Sequence, residues 1–127
     1  DVTRVRDIVR FCGERMTVFG GIMGYESYLN GAMGWVAVGS NIMPRAFADM
    51  YTLTVEKTDV AAARTLYEQI LPVIELVGGH RYVTASKTAL GLMGLPVGPP
   101  RPPRLPATGE DLAWVERVVN ELEMKIT

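Results

Sequence analysis

Residues 16–44 read MTVFGGIMGYESYLNGAMGWVAVGSNIMP, and two short apolar runs inside this stretch decide the architecture. The first, MTVF at 16–19, is β-branched and apolar and stops at Gly20 and Gly21, as a buried strand does. The second, WVAV at 35–38, is equally brief and ends at Gly39, Ser40 and Asn41. Between them, YESYLN at 25–30 can form a short crossover helix that GAMG at 31–34 ends. Neither run alternates apolar with polar residues, so both faces of each strand are expected to be covered. Such strands, separated by a helix, predict a parallel sheet with helices packed against it.

Upstream, DVTRVRDIVRFCG places Val5, Ile8, Val9 and Cys12 at helical spacing, with Asp1 or Thr3 to cap and Gly13 to stop. Downstream of Pro44 no further strand is expected. Pro44 suits the first turn of a helix running to about Lys57, and Thr58 or Asp59 can cap another that reaches Val77. In that helix Val60, Ala63, Leu66, Tyr67, Ile70, Leu71 and Ile74 follow the helical period, and Pro72 should bend it. Residues 83–93 predict a third helix, and the proline-rich LPVGPPRPPRLPAT that follows reads as an extended connector. A last helix starts near Thr108, which with Asp111 makes a capping-box pattern; Leu112, Val115, Val119, Leu122 and Ile126 form its buried stripe. The chain therefore begins as α/β and finishes as helices. Two parallel strands leave open edges and partly covered faces, so further strands must come from elsewhere.

With 127 residues, 48% of them hydrophobic and 21% charged, the composition is that of one globular unit, without an apolar run able to span a membrane. The formal net charge of −1 gives no general attraction to nucleic acid, and Arg4, Arg6, Arg10 and Arg15 read as a solvated helix face. Cys12 is the only cysteine, so nothing points to a disulfide or an oxidising compartment, and a cytoplasmic location is expected. No signal peptide is apparent. The sequence opens at Asp1 with no initiator methionine, as expected of a processed or cleaved chain.

Candidate chemistry is sparse. His80 is the only histidine, and no cluster has metal-ligand spacing, so no metal is expected. Ser40, His80 and a carboxylate could be drawn as a triad, but no nucleophile-elbow motif supports one. The GGIMG run lacks both the dinucleotide fingerprint and the lysine of a phosphate loop. Three lysines are present, Lys57, Lys87 and Lys125, and none has the desolvated setting that a Schiff-base amine needs.

Residues 19–44, FGGIMGYESYLNGAMGWVAVGSNIMP, resemble the seventh and eighth strand region of the dihydrodipicolinate synthase and N-acetylneuraminate lyase family of pyruvate-dependent class I aldolases. There a glycine-containing loop precedes a GA-x-G-x-I-x-x-x-x-N-x-x-P pattern. DVTRVRDIV at 1–9 is similar to the segment after the sixth strand. AAARTLYEQILPVIELV at 61–77, ASKTALGLMG at 85–94 and PPRPPRLP at 99–106 are similar to the family's helical tail, in order.

The resemblance implies the C-terminal part of a TIM (β/α)8 barrel, with the last β/α units in residues 1–56 and a helical extension in 57–127. It implies a lyase or synthase that holds pyruvate, or another 2-oxo acid, as a Schiff base without a cofactor, commonly as a homotetramer. The Schiff-base lysine would lie a few residues before the segment matching Asp1, and the proton-relaying tyrosine and its threonine on still earlier strands. No catalytic residue is then expected on this chain, and its partner is the missing N-terminal barrel segment. Gly20, Gly21 and Val36 become the expected substrate-binding residues, against a plainer reading as a tight turn and a core valine. Ile22 and Met23 replace carboxylates found in many members, and Val38 replaces a serine of sialate lyases. The competing class is a non-catalytic interaction module built on the same fold.

Overall fold

The computed structural model describes residues 1–124, so the expectations for Lys125 and Ile126 lie outside the described residues. Helix α1 (Val2–Cys12) is capped by Asp1, whose carboxylate accepts from the Thr3 amide at 2.9 Å and the Thr3 hydroxyl at 2.7 Å. It stops at Gly13, where φ is 53°, a conformation that glycine adopts without steric cost. Strand β1 (Phe19–Gly20), helix α2 (Gly24–Leu29) and strand β2 (Gly34–Trp35) follow. The strands pair in parallel, Phe19 opposite Gly34 and Gly20 opposite Trp35. Flanking bonds from the Met33 amide to the Val18 carbonyl (2.8 Å) and from the Val36 amide to the Gly20 carbonyl (3.0 Å) extend the contact.

Both strands differ in extent from the runs expected at 16–19 and 35–38. With only one partner each, the ladder covers the short stretch where the chains run alongside, and Met16 and Thr17 fall outside it. Val38 leaves the second run for a 3-10 turn, Val38–Asn41, which the Ser40 hydroxyl and Asn41 amide hold by bonding the Ala37 and Val38 carbonyls.

Helix α3 (Pro44–Tyr51) begins at its proline and continues as a π-helical turn, Thr52–Glu56, where the Thr54 hydroxyl donates to the Met50 carbonyl at 2.7 Å. Asp59 caps helix α4 (Val60–Gly78), accepting from the Ala62 amide at 3.0 Å, and α4 runs through Pro72. Helices α5 (Tyr82–Leu92) and α6 (Gly109–Glu121) flank the proline-rich connector.

The chain divides into two compact units, Asp1–Ile70 and Leu71 onward. In the first, Met50, Phe47, Ile42, Ala63 and Ile70 are buried, and Tyr28 meets Trp35 and Tyr51 edge-on. The second packs α5 on α6, with Ala85, Ala89, Val115, Val118 and Val119 buried. Its connector is tied down by Lys87, whose Nζ donates to the Val97 carbonyl at 3.0 Å, and by the Thr84 hydroxyl, which donates to the Leu105 carbonyl at 2.9 Å. The capping box expected at Thr108 and Asp111 does not form: the Thr108 side chain makes no cap bond, and Asp111 is engaged by the Arg81 guanidinium. A charged partner across the fold outcompetes a local amide for the carboxylate.

Candidate functional site

Successive strand residues face opposite ways, so the β1–β2 pair has one face carrying Gly20 and Trp35 and another carrying Phe19 and Gly34. The first face lies under α2. Gly20 is buried, and a Cβ there would sit 2.6 Å from that of Ser27; a Cβ on Gly24 would fall within the Trp35 indole. Glycine at both places is what lets strand and helix approach this closely. The helix is fixed in turn by Glu26, which accepts from the Tyr67 hydroxyl at 2.8 Å, while Tyr25 stacks on Tyr67 with centroids 4.8 Å apart.

The second face is open. The Phe19 ring covers Gly34 yet remains 58% exposed, and Val36, two residues beyond Gly34, is 73% exposed. Past the end of β1, Gly21 is exposed with no atom within 4 Å of where its Cβ would be; Ile22 and Met23 beside it are 67% and 44% exposed. Of the expected substrate-binding residues, Gly20 and Val36 are therefore joined directly by a hydrogen bond, and Gly21 extends the same strand end. Gly20 contributes backbone while turning its α-carbon towards α2; Gly21 and Val36 border the open side. Phe19 belongs with them and was not singled out from sequence; its register opposite Gly34 places it on the same face as Val36.

The remaining candidates have other employment. Lys87 binds a backbone carbonyl, and Lys57 is exposed at the end of the π-helical turn. The His80 ring nitrogen Nε2 accepts from Arg81 Nε at 3.3 Å, and the Ser40 hydroxyl is donated to Ala37, so neither shows the pairing of a nucleophile with its base. Arg4, Arg6, Arg10 and Arg15 are exposed; Arg6 pairs with Asp7, and Arg15 bonds the Phe11 and Cys12 carbonyls at the end of α1. Among the described residues no group of three or more His, Cys, Asp or Glu side chains converges. No helix among them is long and apolar enough to cross a membrane. Burial raises the pKa of the Tyr28 hydroxyl, and the neighbouring Tyr51 raises it further.

Residues 1–122 match the model of the dihydrodipicolinate synthetase family, and the chain belongs to that family. It is 39% identical over 94 residues to a 4-hydroxy-tetrahydrodipicolinate synthase of Corynebacterium aurimucosum, covering 73% of this chain and 30% of that protein. It is 28% identical over 127 residues to a DapA-like lyase of Pyrobaculum aerophilum, covering 91% of this chain and 42% of the relative. The solved structure of Acinetobacter baumannii dihydrodipicolinate synthase complexed with pyruvate superposes with a TM-score of 0.89 at 25% identity, over 98% of this chain and 43% of that one. The Aquifex aeolicus enzyme, at 21% identity, shares the fold with a TM-score of 0.90 over the whole chain and 44% of its own length. The chain thus spans less than half the length of the relatives it matches, and it is the C-terminal part of their barrel, bearing strands β1 and β2 and the helices that follow.

Proposed function

We propose that this chain supplies the closing wall of a barrel site that holds pyruvate, or a related 2-oxo acid, as a Schiff base for aldol addition or cleavage. In this reading residues 1–56 are the last β/α units and 57–127 their helical extension. The nucleophilic lysine and the proton-relaying tyrosine come from the upstream portion of the barrel, on the same polypeptide or another. The observation that carries the reading is the family match across residues 1–122, together with an open strand face whose C-terminal end presents Gly21 and Val36. Sites of β/α barrels sit at that end of the strands. The pyruvate complex of the Acinetobacter baumannii relative favours the same substrate class.

The chemistry assigns this chain a shaping role. An amine in the complete site condenses with the pyruvate carbonyl, releasing water, and the resulting iminium loses a methyl proton to become an enamine. Val36 and the strand-end glycines would bound the space in which that carbon meets its acceptor, excluding water that would quench it.

Borohydride trapping tests this. With pyruvate, the complete barrel is expected to yield a reduced adduct mapping upstream of Asp1, and this chain alone is expected to yield none. An adduct on Lys57, Lys87 or Lys125 would overturn the proposal.

A further inference from the structure

Beyond β1 and β2 the chain offers the open side apolar groups and little else. Segments 16–24 and 33–39 contain no ionisable side chain. Phe19, Ile22, Met23 and Val36 are the large exposed side chains bordering that end of the pair. The polar donors nearby are turned back on their own loops: Ser27 Oγ on the Met23 carbonyl at 2.5 Å, Ser40 Oγ on the Ala37 carbonyl at 2.6 Å, and Asn41 Nδ2 on the Val38 carbonyl at 2.9 Å. Glu26, the first carboxylate after β1, is engaged with the Tyr67 hydroxyl.

Resting on the Schiff-base reading above, we infer that the second substrate of the complete barrel is an aldehyde with an apolar alkyl or aryl substituent, and that Ile22 and Met23 select it. A charged or polyhydroxylated substituent brought against these side chains would lose its hydration and regain no hydrogen bond. An alkyl or aryl group gains burial with each carbon covered. In the addition, the enamine carbon bonds to the aldehyde carbon, whose oxygen takes up a proton. Water then releases the 4-hydroxy-2-oxo acid and restores the amine.

The test uses the complete barrel with pyruvate and four acceptors: butanal, benzaldehyde, glyceraldehyde and succinic semialdehyde. The kcat/KM for the two apolar aldehydes is expected to exceed that for the two polar ones by about tenfold or more. Ile22→Asp should reduce that ratio by about tenfold. It should leave the borohydride-trapped pyruvate adduct intact, because the adduct forms before the acceptor arrives. Met23→Gln, close in shape, should lower the ratio less and provides a second reading should the aspartate disturb folding. An adduct with preference for the polar aldehydes, or a ratio that neither variant moves, would overturn this inference and leave the Schiff-base reading standing. Absence of any adduct from the complete barrel would overturn both.

Discussion

The two faces of the β1–β2 pair carry the same kinds of residue and are in opposite states. On the α2 side, Gly20, Gly24, Ser27 and Trp35 are in close contact, with no room for an added methyl group. On the other side, Phe19 and Val36, equally apolar, stand largely in solvent. Composition cannot separate them; parity along the strand does. The finished face belongs to local β/α packing, which this chain encodes completely. The bare face, in the reading proposed above, is barrel interior that further strands cover.

Substitutions on the finished face should be the most damaging. Gly24→Val in the complete barrel forces a branched side chain into the Trp35 indole and is expected to cost about 3 kcal/mol, read as a lowered urea midpoint with unchanged slope. An unchanged midpoint would mean that α2 can retreat from the sheet. Next comes Tyr67→Phe, which removes the bond to Glu26 and should cost about 1 kcal/mol by the same measurement.

Tyr28 gives a pH-dependent check. Its folded pKa is raised, so the folded state keeps the proton that the unfolded chain releases near the ordinary tyrosine value of about 10. Its contribution is fully present below that value and is lost as pH rises through the folded pKa. Stability should begin to fall near about pH 10 and go on falling as pH rises through the folded pKa, and Tyr28→Phe should flatten that fall. An equal slope in the variant would assign the alkaline loss to other groups.

The smallest effect on stability is expected on the bare face. Val36→Ser in the isolated chain should change stability by less than about 0.5 kcal/mol, since the side chain is already in water. In the complete barrel the same change should raise the KM for pyruvate. A large loss of stability in the isolated chain would show that Val36 is a core residue.

The order of helix, strand, helix and strand, the parallel pairing and the helices after Pro44 were legible because each leaves a local mark: apolar periodicity, terminal glycines, a proline at a helix start. Asp1 and Asp59 act as the caps their positions suggested. What failed to show was anything decided across the fold. Asp111 has the spacing of a capping residue, but Arg81 takes it. In the sequence Gly24 figures only within the GGIMG run and Gly34 only within the GAMG that ends a helix, whereas each lies against an aromatic ring, Trp35 and Phe19. The strand limits shifted because ladder length depends on the partner strand and cannot be read from either run alone. At the site, Gly20, Gly21 and Val36 were reached through the resemblance; Phe19 needed the pairing register.

The central claim is that the open face and outer edges of this strand pair await further strands. Amide hydrogen exchange across residues 17–21 and 33–37 tests it most directly, comparing the chain alone with the chain joined to the upstream part of the barrel. Exchange should be fast in the isolated chain and slowed by at least about a hundredfold in the complete barrel, because amides on unpaired edges open with little free-energy cost. Equal, strong protection in both samples would mean that the chain completes its own sheet, and would contradict the account.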